Sequence, residues 1–400
     1  MTGKNYKDAN IDPSPVATKR GNSMRTSLRR FCMRSALALA TLVLATTATP
    51  LFSTAASAAP LPISPDSTAP VVSYGEGLAT VVVDGFDQVV LFTQPTGATT
   101  WTKKVVGPDT GGAQYFDPEV SSNGAGGLVI VATTVGGELV SFTGNVGAKF
   151  HRATVSFASS YTFPSIAYSP TGGNFVVTAT DSSGNVDFWY QSGKFWTPEL
   201  VQTGQFVHFE ASVVTVTDTG TVVVATDNYQ ELDVFYQPLF ASGWTLTSTS
   251  PGDYVDLSTI WSGTNVLVAT DKGGVVAGDQ SLQVIKYSDK GIYASITALG
   301  ESTADDLLTG TAIAWSGFNA VVVSDDADAH GTLNFFYSDP SFAFHEESVA
   351  IGTAHRDYGF FPGVAVANGS TEITDVSNAD LYGFSQAVGA SGWLRQVIAK

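Results

Sequence analysis

Short apolar segments separated by polar turns run through residues 69–400. Each segment is about four to seven residues long, is rich in Val, Thr, Phe, Tyr and Trp, and is bounded by Gly, Asp, Ser or Pro. These features are typical of β-strands. No long stretch in this part of the chain has the apolar spacing of a helix, so the pattern predicts an all-β protein.

The segments recur as a repeat of four predicted strands. In one copy Pro164-Ser165-Ile166 is followed by an apolar run ending at Asp181, a turn, an aromatic run ending at Gln191, and Trp196-Thr197. Seven copies fill residues 69–400, and this pattern predicts a seven-bladed β-propeller with four antiparallel strands per blade. The first apolar anchors of the copies are Val72, Val120, Ile166, Val213, Ile260, Ile313 and Val364.

Two columns of aromatic residues follow the same period. Because neighbouring blades pack face to face, most of these rings are expected to fill the space between blades. Trp189, Trp196 and Trp244 are also candidates for stacking on a ligand. The column of third strands is Phe92, Phe142, Trp189, Phe235, Tyr287, Phe336 and Phe384, and that of fourth strands is Trp101, Phe150, Trp196, Trp244, Tyr293, Phe344 and Trp393.

The N-terminus has the pattern of an export signal. Basic residues from Lys19 to Arg34 precede an apolar run from Ser35 to about Thr49, and Ala56-Ser57-Ala58 offers small residues for cleavage after Ala58. We predict a signal peptide over residues 1–58, a short extended lead-in over 59–68, and the propeller over 69–400. Two ways of closing the ring stay open: residues 60–67 cover its seam, or apolar packing between the first and last blades holds it shut. This organisation predicts a secreted, extracellular protein, and both the general and the twin-arginine export routes fit.

Charge and cysteine content exclude several kinds of function. Residues 1–58 carry eight of the 19 Lys and Arg and two of the 36 Asp and Glu, so the rest has a net charge of −23. Such a chain repels nucleic acid and anionic lipid. The only Cys and all three Met lie within the first 33 residues, which excludes a disulfide or a thiolate zinc site in the propeller. No segment after residue 58 is apolar enough for a membrane span. For the oligomeric state, we expect a monomer.

The central copy carries a family resemblance. Asn185 to Gln191, followed by Gly193 to Thr197, resembles the repeats of secreted bacterial propellers of unassigned function, and is more distantly similar to fucose-lectin and tectonin-type propellers. The resemblance implies a lectin-like fold, in which sugars sit against aromatic rings with Arg and acidic partners between blades. Here only Arg152, Arg356 and Arg395 follow the leader, so no Arg recurs in every copy.

One face of the propeller is the best candidate for binding. The loop that enters each blade and the turn after its second strand must lie on the same face, because the strands are antiparallel. We call it the loop face. Rings beside carboxylates suit a polyhydroxylated ligand, although Asp at a strand end also commonly closes its own turn. The candidates are the carboxylates Asp181, Asp227 and Asp271 and the entering-loop residues Tyr161, Phe206, His208 and Tyr254.

A weaker pattern concerns calcium. Asp326-Ala327-Asp328-Ala329-His330-Gly331 resembles a calcium loop, in which oxygen ligands alternate and a glycine allows the sharp bend. His330 replaces an oxygen donor, and a solvated acidic turn explains the same residues. Asp326 and Asp328 are therefore minor candidates for a metal site, and no other cofactor is indicated.

The sequence favours a non-catalytic protein that binds extracellular carbohydrate or protein ligands through the loop face. It contains none of the zinc-protease, nucleophile-elbow, phosphate-loop or dinucleotide motifs. Two alternatives stay open. A glycan-acting hydrolase or lyase could use a pair of acids that meet only in space, in the funnel of the propeller. A protein-interaction scaffold would need no small ligand.

Overall fold

The computed structural model describes residues 63–64, 67–107, 114–157, 160–204, 207–272, 281–301, 308–326, 332–350, 361–377, 379–387, 390 and 392–400. The leader and most of the lead-in lie outside these residues. Among the described residues there is no helix with the length and apolar character needed to span a bilayer.

Seven four-stranded antiparallel sheets form the structure, and each is built from four consecutive strands. This confirms the prediction of a seven-bladed all-β propeller. The strands of blades 1 to 4 are β1 (Val71–Ser73), β2 (Gly77–Val83), β3 (Val89–Pro95), β4 (Thr102–Gly107), β5 (Tyr115–Ser122), β6 (Gly127–Thr134), β7 (Leu139–Asn145), β8 (His151–Ser156), β9 (Thr162–Ser169), β10 (Asn174–Thr180), β11 (Val186–Ser192), β12 (Phe195–Gln202), β13 (Phe209–Val216), β14 (Gly220–Asp227), β15 (Leu232–Pro238) and β16 (Thr245–Ser250). Those of blades 5 to 7 are β17 (Tyr254–Trp261), β18 (Val266–Lys272), β19 (Ser281–Tyr287), β20 (Tyr293–Glu301), β21 (Leu308–Trp315), β22 (Ala320–Asp326), β23 (Thr332–Ser338), β24 (Phe344–Ala350), β25 (Gly363–Ala367), β26 (Ser370–Ser377), β27 (Asp380–Ala387) and β28 (Leu394–Ala399).

The first strand of each blade is the innermost strand. First strands of successive blades contact one another around the ring, and β25 contacts β1 to complete it. The second strands are covered on both faces by neighbouring blades. Every residue of β2 and β14 is therefore buried, which explains why these strands have continuous Val-rich sequences and no polar alternation.

The core consists of apolar clusters between blades. All seven aromatic residues of the third-strand column lie in clusters that include residues of the preceding blade. Trp189, for example, packs with Val129 and Val131 of blade 2. The column therefore has the packing role expected from its period.

Blades 1 and 7 meet without exchanging a strand. The carbonyl oxygen of Ala69, just before β1, accepts a 2.5 Å hydrogen bond from the hydroxyl of Thr374 in blade 7. A Cβ atom at Gly363 would collide with the same carbonyl oxygen, so glycine is needed for this close approach. On the outer side, Trp101 of blade 1 donates its indole N–H to Oε1 of Gln396 in blade 7 at 3.3 Å.

Candidate ligand-binding surfaces

Asp181 and Asp227 close the turns that follow the second strands of blades 3 and 4. Oδ1 of Asp181 accepts the N–H groups of Ser183 and Asn185 at 2.8 and 2.9 Å. Oδ1 of Asp227 accepts those of Tyr229 and Glu231 at 2.9 and 2.8 Å. Such local bonds are the usual reason for Asp at a turn. Both carboxylates lie on the loop face as predicted, and their turn-closing bonds explain their recurrence without any ligand.

Asp271 occupies a different register from Asp227. In blade 4, Asp227 pairs with Phe209, the aromatic residue that begins the first strand. In blade 5 the corresponding aromatic residue, Tyr254, pairs with Lys272, and Asp271 pairs with Val255. Because successive side chains of a strand point to opposite faces, Asp271 is directed away from the turn that its sequence motif suggested.

The side chain of Asp271 is buried between blades. It is 4% exposed, and neither carboxylate oxygen has a hydrogen-bond partner among the described residues. Burial, and then the nearby carboxylate of Asp256, raise the pKa of Asp271 well above its usual value. The environment of the carboxyl group therefore favours its neutral form over its charged form.

Tyr161 and Tyr254 lie at the start of the inner strands of blades 3 and 5 and are only 6% and 5% exposed. Their backbone N–H groups donate to turns of the preceding blade, from Tyr161 to Gly137 O at 3.4 Å and from Tyr254 to Gln230 O at 2.8 Å. The Tyr161 hydroxyl donates to Oδ2 of Asp187 at 3.2 Å, and burial raises the pKa of Tyr161 to about 12. The rings thus hold adjacent blades together.

The three candidate tryptophans lie away from the loop face. Trp189 is 2% exposed and lies between blades 2 and 3. The other two precede or begin fourth strands, which start on the face opposite to the loop face. Trp196 donates its indole N–H to Ser141 Oγ at 2.9 Å, and Trp244 packs edge to face on Phe188 with ring centroids 4.9 Å apart. Both fill gaps between neighbouring blades.

Three of the predicted residues do come together on the loop face, where blade 3 meets blade 4. His208 is exposed and lies against Gly184, where a Cβ atom would collide with the imidazole and where φ is +75°. The carbonyl oxygen of His208 accepts the N–H of Asn228 at 2.7 Å, which fixes it to the turn of Asp227. The Asp181 turn, His208 and the Asp227 turn form a continuous surface, which we call the loop-face shelf. Phe206 lies outside the described residues.

Tyr229 completes the loop-face shelf and was not among the predicted residues. It is the second residue after Asp227, and its side chain is 65% exposed. A large ring that is held at its backbone by the Asp227 carboxylate and free at its face is suited to stacking. Its place in a turn between two apolar strands was the only sequence signal for it.

A pair of acidic residues lies on the inner strand of blade 2. Asp117, at a bulge with φ +47°, accepts the backbone N–H of Phe163 in blade 3, while burial raises the pKa of Asp117 to about 6. Burial, and then the carboxylate of Asp117, raise the pKa of Glu119 to about 8. No sequence pattern pointed to this pair, because only the fold places β5 at the centre of the ring.

Glu119 points toward the neighbouring inner strand. It has the same register as Ser165 and Ser258, which pair with the equivalent positions of their second strands. Those two hydroxyls accept the N–H groups of Val214 and Ile313 in the next blade, at 3.1 and 3.2 Å. Glu119 is a longer, acidic side chain in the same place. Asp117 and Glu119 are therefore the candidates for the acidic pair of the hydrolase alternative.

The calcium prediction falls mainly outside the described residues. Asp328 is not described, and Asp326 is described only as the last residue of β22. In the described part of the chain, no three acidic, His or Cys side chains are grouped so as to hold a metal ion. The prediction for Asp326 and Asp328 therefore stays a prediction.

Comparison with known proteins adds information about the fold. No family model and no curated protein matches the sequence. The structure is similar to the BP39L lectin from Burkholderia pseudomallei, with a TM-score of 0.63 and 15% identity over 83% of this chain and 99% of that chain. It is also similar to the β-propeller domain of the Trilobed protease from Pyrococcus furiosus, for which an open velcro topology is described, with a TM-score of 0.52 and 9% identity over 83% and 96% of the two chains.

A third similar structure is that of puromycin hydrolase, with a TM-score of 0.52 and 12% identity over 84% of this chain and 57% of that chain. Lectins and hydrolases thus share this architecture. At these identities the likeness confirms the resemblance to lectin propellers at the level of the fold, and it leaves the ligand to be argued from the residues themselves.

Proposed function

We propose that the protein is a secreted, non-catalytic carbohydrate-binding protein that holds its ligand on the loop-face shelf. The observation that carries the proposal is the exposed ring of Tyr229 in the turn of Asp227, a turn that is joined to His208 through the N–H of Asn228. An aromatic ring stacks on the apolar face of a sugar. The exposed imidazole of His208 offers hydrogen bonds to hydroxyl groups, whereas Asp181 and Asp227 are buried and act by holding their turns.

A glycan array with site-directed variants tests this proposal. We expect the purified protein to retain a defined set of glycans, and Tyr229→Ala and His208→Ala to weaken that retention about tenfold or more. Phe240→Ala is the matched control, since Phe240 is an 88% exposed ring on the β15–β16 turn of the opposite face. Retention of no glycan, with or without calcium, contradicts the proposal, and so does an equal effect of all three variants.

A second candidate function rests on the acidic pair. Carboxyl groups with pKa values near 6 and 8 hold one proton between them at neutral pH, which is the condition for general acid catalysis by one and base catalysis by the other. Asp117 and Glu119 then act on a glycan that enters the funnel. Release of reducing ends from a polysaccharide panel, lost in Glu119→Gln, supports this function. Activity that survives in Glu119→Gln and in Asp117→Asn excludes it.

A further inference from the structure

A recess lies at the seam of the ring, on the face opposite to the loop face. It has a volume of about 160 Å³ and is formed by blade 1 and blade 7. Its walls are the β3–β4 turn of blade 1, the β25–β26 turn of blade 7 and the beginning of β2. We call it the seam recess. The lining residues are Gly77, Leu78, Gln94, Pro95, Thr96, Gly97, Ala98, Ala367, Asn368, Ser370 and Glu372.

The recess exists because the first turn of blade 7 is short. Only Asn368 and Gly369 join β25 to β26, and their φ angles of +53° and +76° are those of a tight two-residue hairpin turn. The corresponding turn of blade 4 is one residue longer. It crosses to the next blade, where Thr217 and Thr219 bind Asp289 O and Oδ2 at 3.1 and 3.0 Å. From the shorter turn of blade 7, Asn368 crosses to blade 1 and donates to Thr96 Oγ1 at 2.9 Å.

The seam recess is lined by polar side chains and contains no basic side chain. Its floor is apolar, with Leu78 and Ala367 at 6% and 9% exposure. Its walls offer the amides of Gln94 and Asn368, the hydroxyls of Thr96 and Ser370, and the carboxyl of Glu372. The residues that line it include no Lys, Arg or His. An anionic ligand therefore finds no counter-charge here, and a neutral ligand with several hydroxyl groups finds donors and acceptors on every side.

Glu372 accepts a hydrogen bond from its own strand. The hydroxyl of Ser370 donates to Oε1 of Glu372 at 3.0 Å, and the same hydroxyl lies 3.1 Å from the carbonyl oxygen of Gln386. Burial raises the pKa of Glu372 to about 7, although the hydrogen bond from Ser370 acts in the opposite direction. The other carboxyl oxygen is left as an acceptor for a ligand hydroxyl.

We propose that the seam recess is a binding site for one neutral sugar ring or a small polyol of similar size, held by Glu372, Gln94 and Asn368. The volume is below the roughly 300 Å³ of common drug-sized pockets, so a single ring fills it. The site is separate from the loop-face shelf, and neither needs the other. A glycan bound at one face leaves the seam recess open to a second sugar.

Titration with a panel of free monosaccharides and linear polyols, followed by calorimetry and NMR, tests the proposal. We expect saturable binding of one equivalent, with shifts of the side-chain amide signals of Gln94 and Asn368 in the wild-type protein. Glu372→Gln keeps an amide acceptor and should bind within about threefold of the wild type, whereas Glu372→Leu should bind about tenfold or more weakly. Ala98→Phe, which places a ring in the recess, should abolish binding.

Phe240→Ala, at an 88% exposed ring outside both surfaces, is the control and should leave the titration unchanged. The proposal is overturned if no member of the panel saturates, or if the amide signals of Gln94 and Asn368 stay fixed while another site is occupied. The amide signals need no variant, so the test holds even if Ala98→Phe fails to fold. Binding that is lost in Tyr229→Ala and kept in Glu372→Leu and Ala98→Phe would support the loop-face shelf and exclude the seam recess.

Discussion

The backbone N–H of Ile63 donates a 2.9 Å hydrogen bond to the carbonyl oxygen of Ala379, which joins a residue before the first blade to a turn of the last one. The next residue, Ser64, donates to Val83 O of blade 1, also at 2.9 Å. The side chain of Ile63 is 1% exposed and packs with Val82 of blade 1 and Leu381 of blade 7. The lead-in therefore fastens the seam, in the place where other propellers exchange a strand.

Ile63→Ala should destabilise the whole ring. Removing a buried Ile side chain costs about 2–4 kcal/mol of unfolding free energy, and here it also loosens the contact between the first and last blades. Ile292→Ala is the matched control, because Ile292 is 57% exposed on blade 5. Urea unfolding followed by tryptophan fluorescence measures both. Similar midpoints for the two variants would show that the lead-in does not hold the seam.

Asp227 allows the structural and binding roles of a turn carboxylate to be separated. Asp227→Asn keeps Oδ1 as the acceptor for the N–H groups of Tyr229 and Glu231, so its stability should stay within about 0.5 kcal/mol of the wild type. Asp227→Ala removes the acceptor and should cost about 1–3 kcal/mol. Thermal unfolding gives the stability, and the glycan array gives the binding. Weak binding by Asp227→Asn would show that the negative charge contacts the ligand; full binding would restrict Asp227 to the turn.

The sequence determined the architecture well because a repeat multiplies a weak signal. A single apolar run such as Val222 to Ala225 fits a strand or a buried helix, but seven copies at one period with two aromatic columns fit only stacked four-stranded sheets. Closure could not be derived in the same way. The seam depends on Ile63, which lies before the first copy, and on Ala69, the first residue of that copy, and no repeating pattern marks either residue.

The candidate site was harder to predict, because equal motifs do not guarantee equal registers. Asp271 follows the same Val-Ala-Thr motif as Asp227, yet in blade 5 the motif ends one residue earlier relative to the aromatic residue of the inner strand, and the carboxylate is turned between blades. Burial also decides which aromatic rings can contact a ligand. The sequence places Tyr254 in an entering loop and Tyr229 in a turn, but neither position reveals that Tyr254 is buried and Tyr229 exposed. The raised pKa values of Asp117 and Glu119 result from their burial, which depends on the fold and has no signature in the sequence.

Asp271→Thr should stabilise the protein. Thr180 and Thr226 are the residues at the same register in blades 3 and 4, where a hydroxyl replaces the carboxyl. Since Asp271 has no hydrogen-bond partner in the described part of the chain, its removal should raise the free energy of unfolding by about 1–3 kcal/mol at pH 8, and by less at pH 5, where its proton is retained at little cost. The reciprocal variant Thr226→Asp should destabilise blade 4 more at pH 8 than at pH 5. Urea unfolding at both pH values measures the stability of both variants and of the wild type. A destabilised Asp271→Thr would contradict the prediction.

Glu119 and Asp117 should make the stability of the protein depend on pH. Both pKa values are higher in the folded protein than in the unfolded chain, where they are close to the ordinary values of Glu and Asp. The folded state therefore binds more protons than the unfolded state between about pH 4 and pH 8. The free energy of unfolding must decrease as the pH rises through this window, first as Asp117 loses its proton near pH 6 and then as Glu119 does so near pH 8.

Glu119→Gln should flatten the upper half of this dependence, since the amide carries no titrating proton and keeps nearly the same shape. The variant should match the wild type at pH 5 and be more stable than it at pH 9, as measured by urea midpoints at intervals of about one pH unit. Glu346→Gln is the control, because Glu346 is an exposed acid on the outer strand β24 and should leave the profile unchanged. If Glu119→Gln and the wild type lose stability in parallel up to pH 9, Glu119 is already ionised at neutral pH, and the general-acid role in the funnel loses its basis.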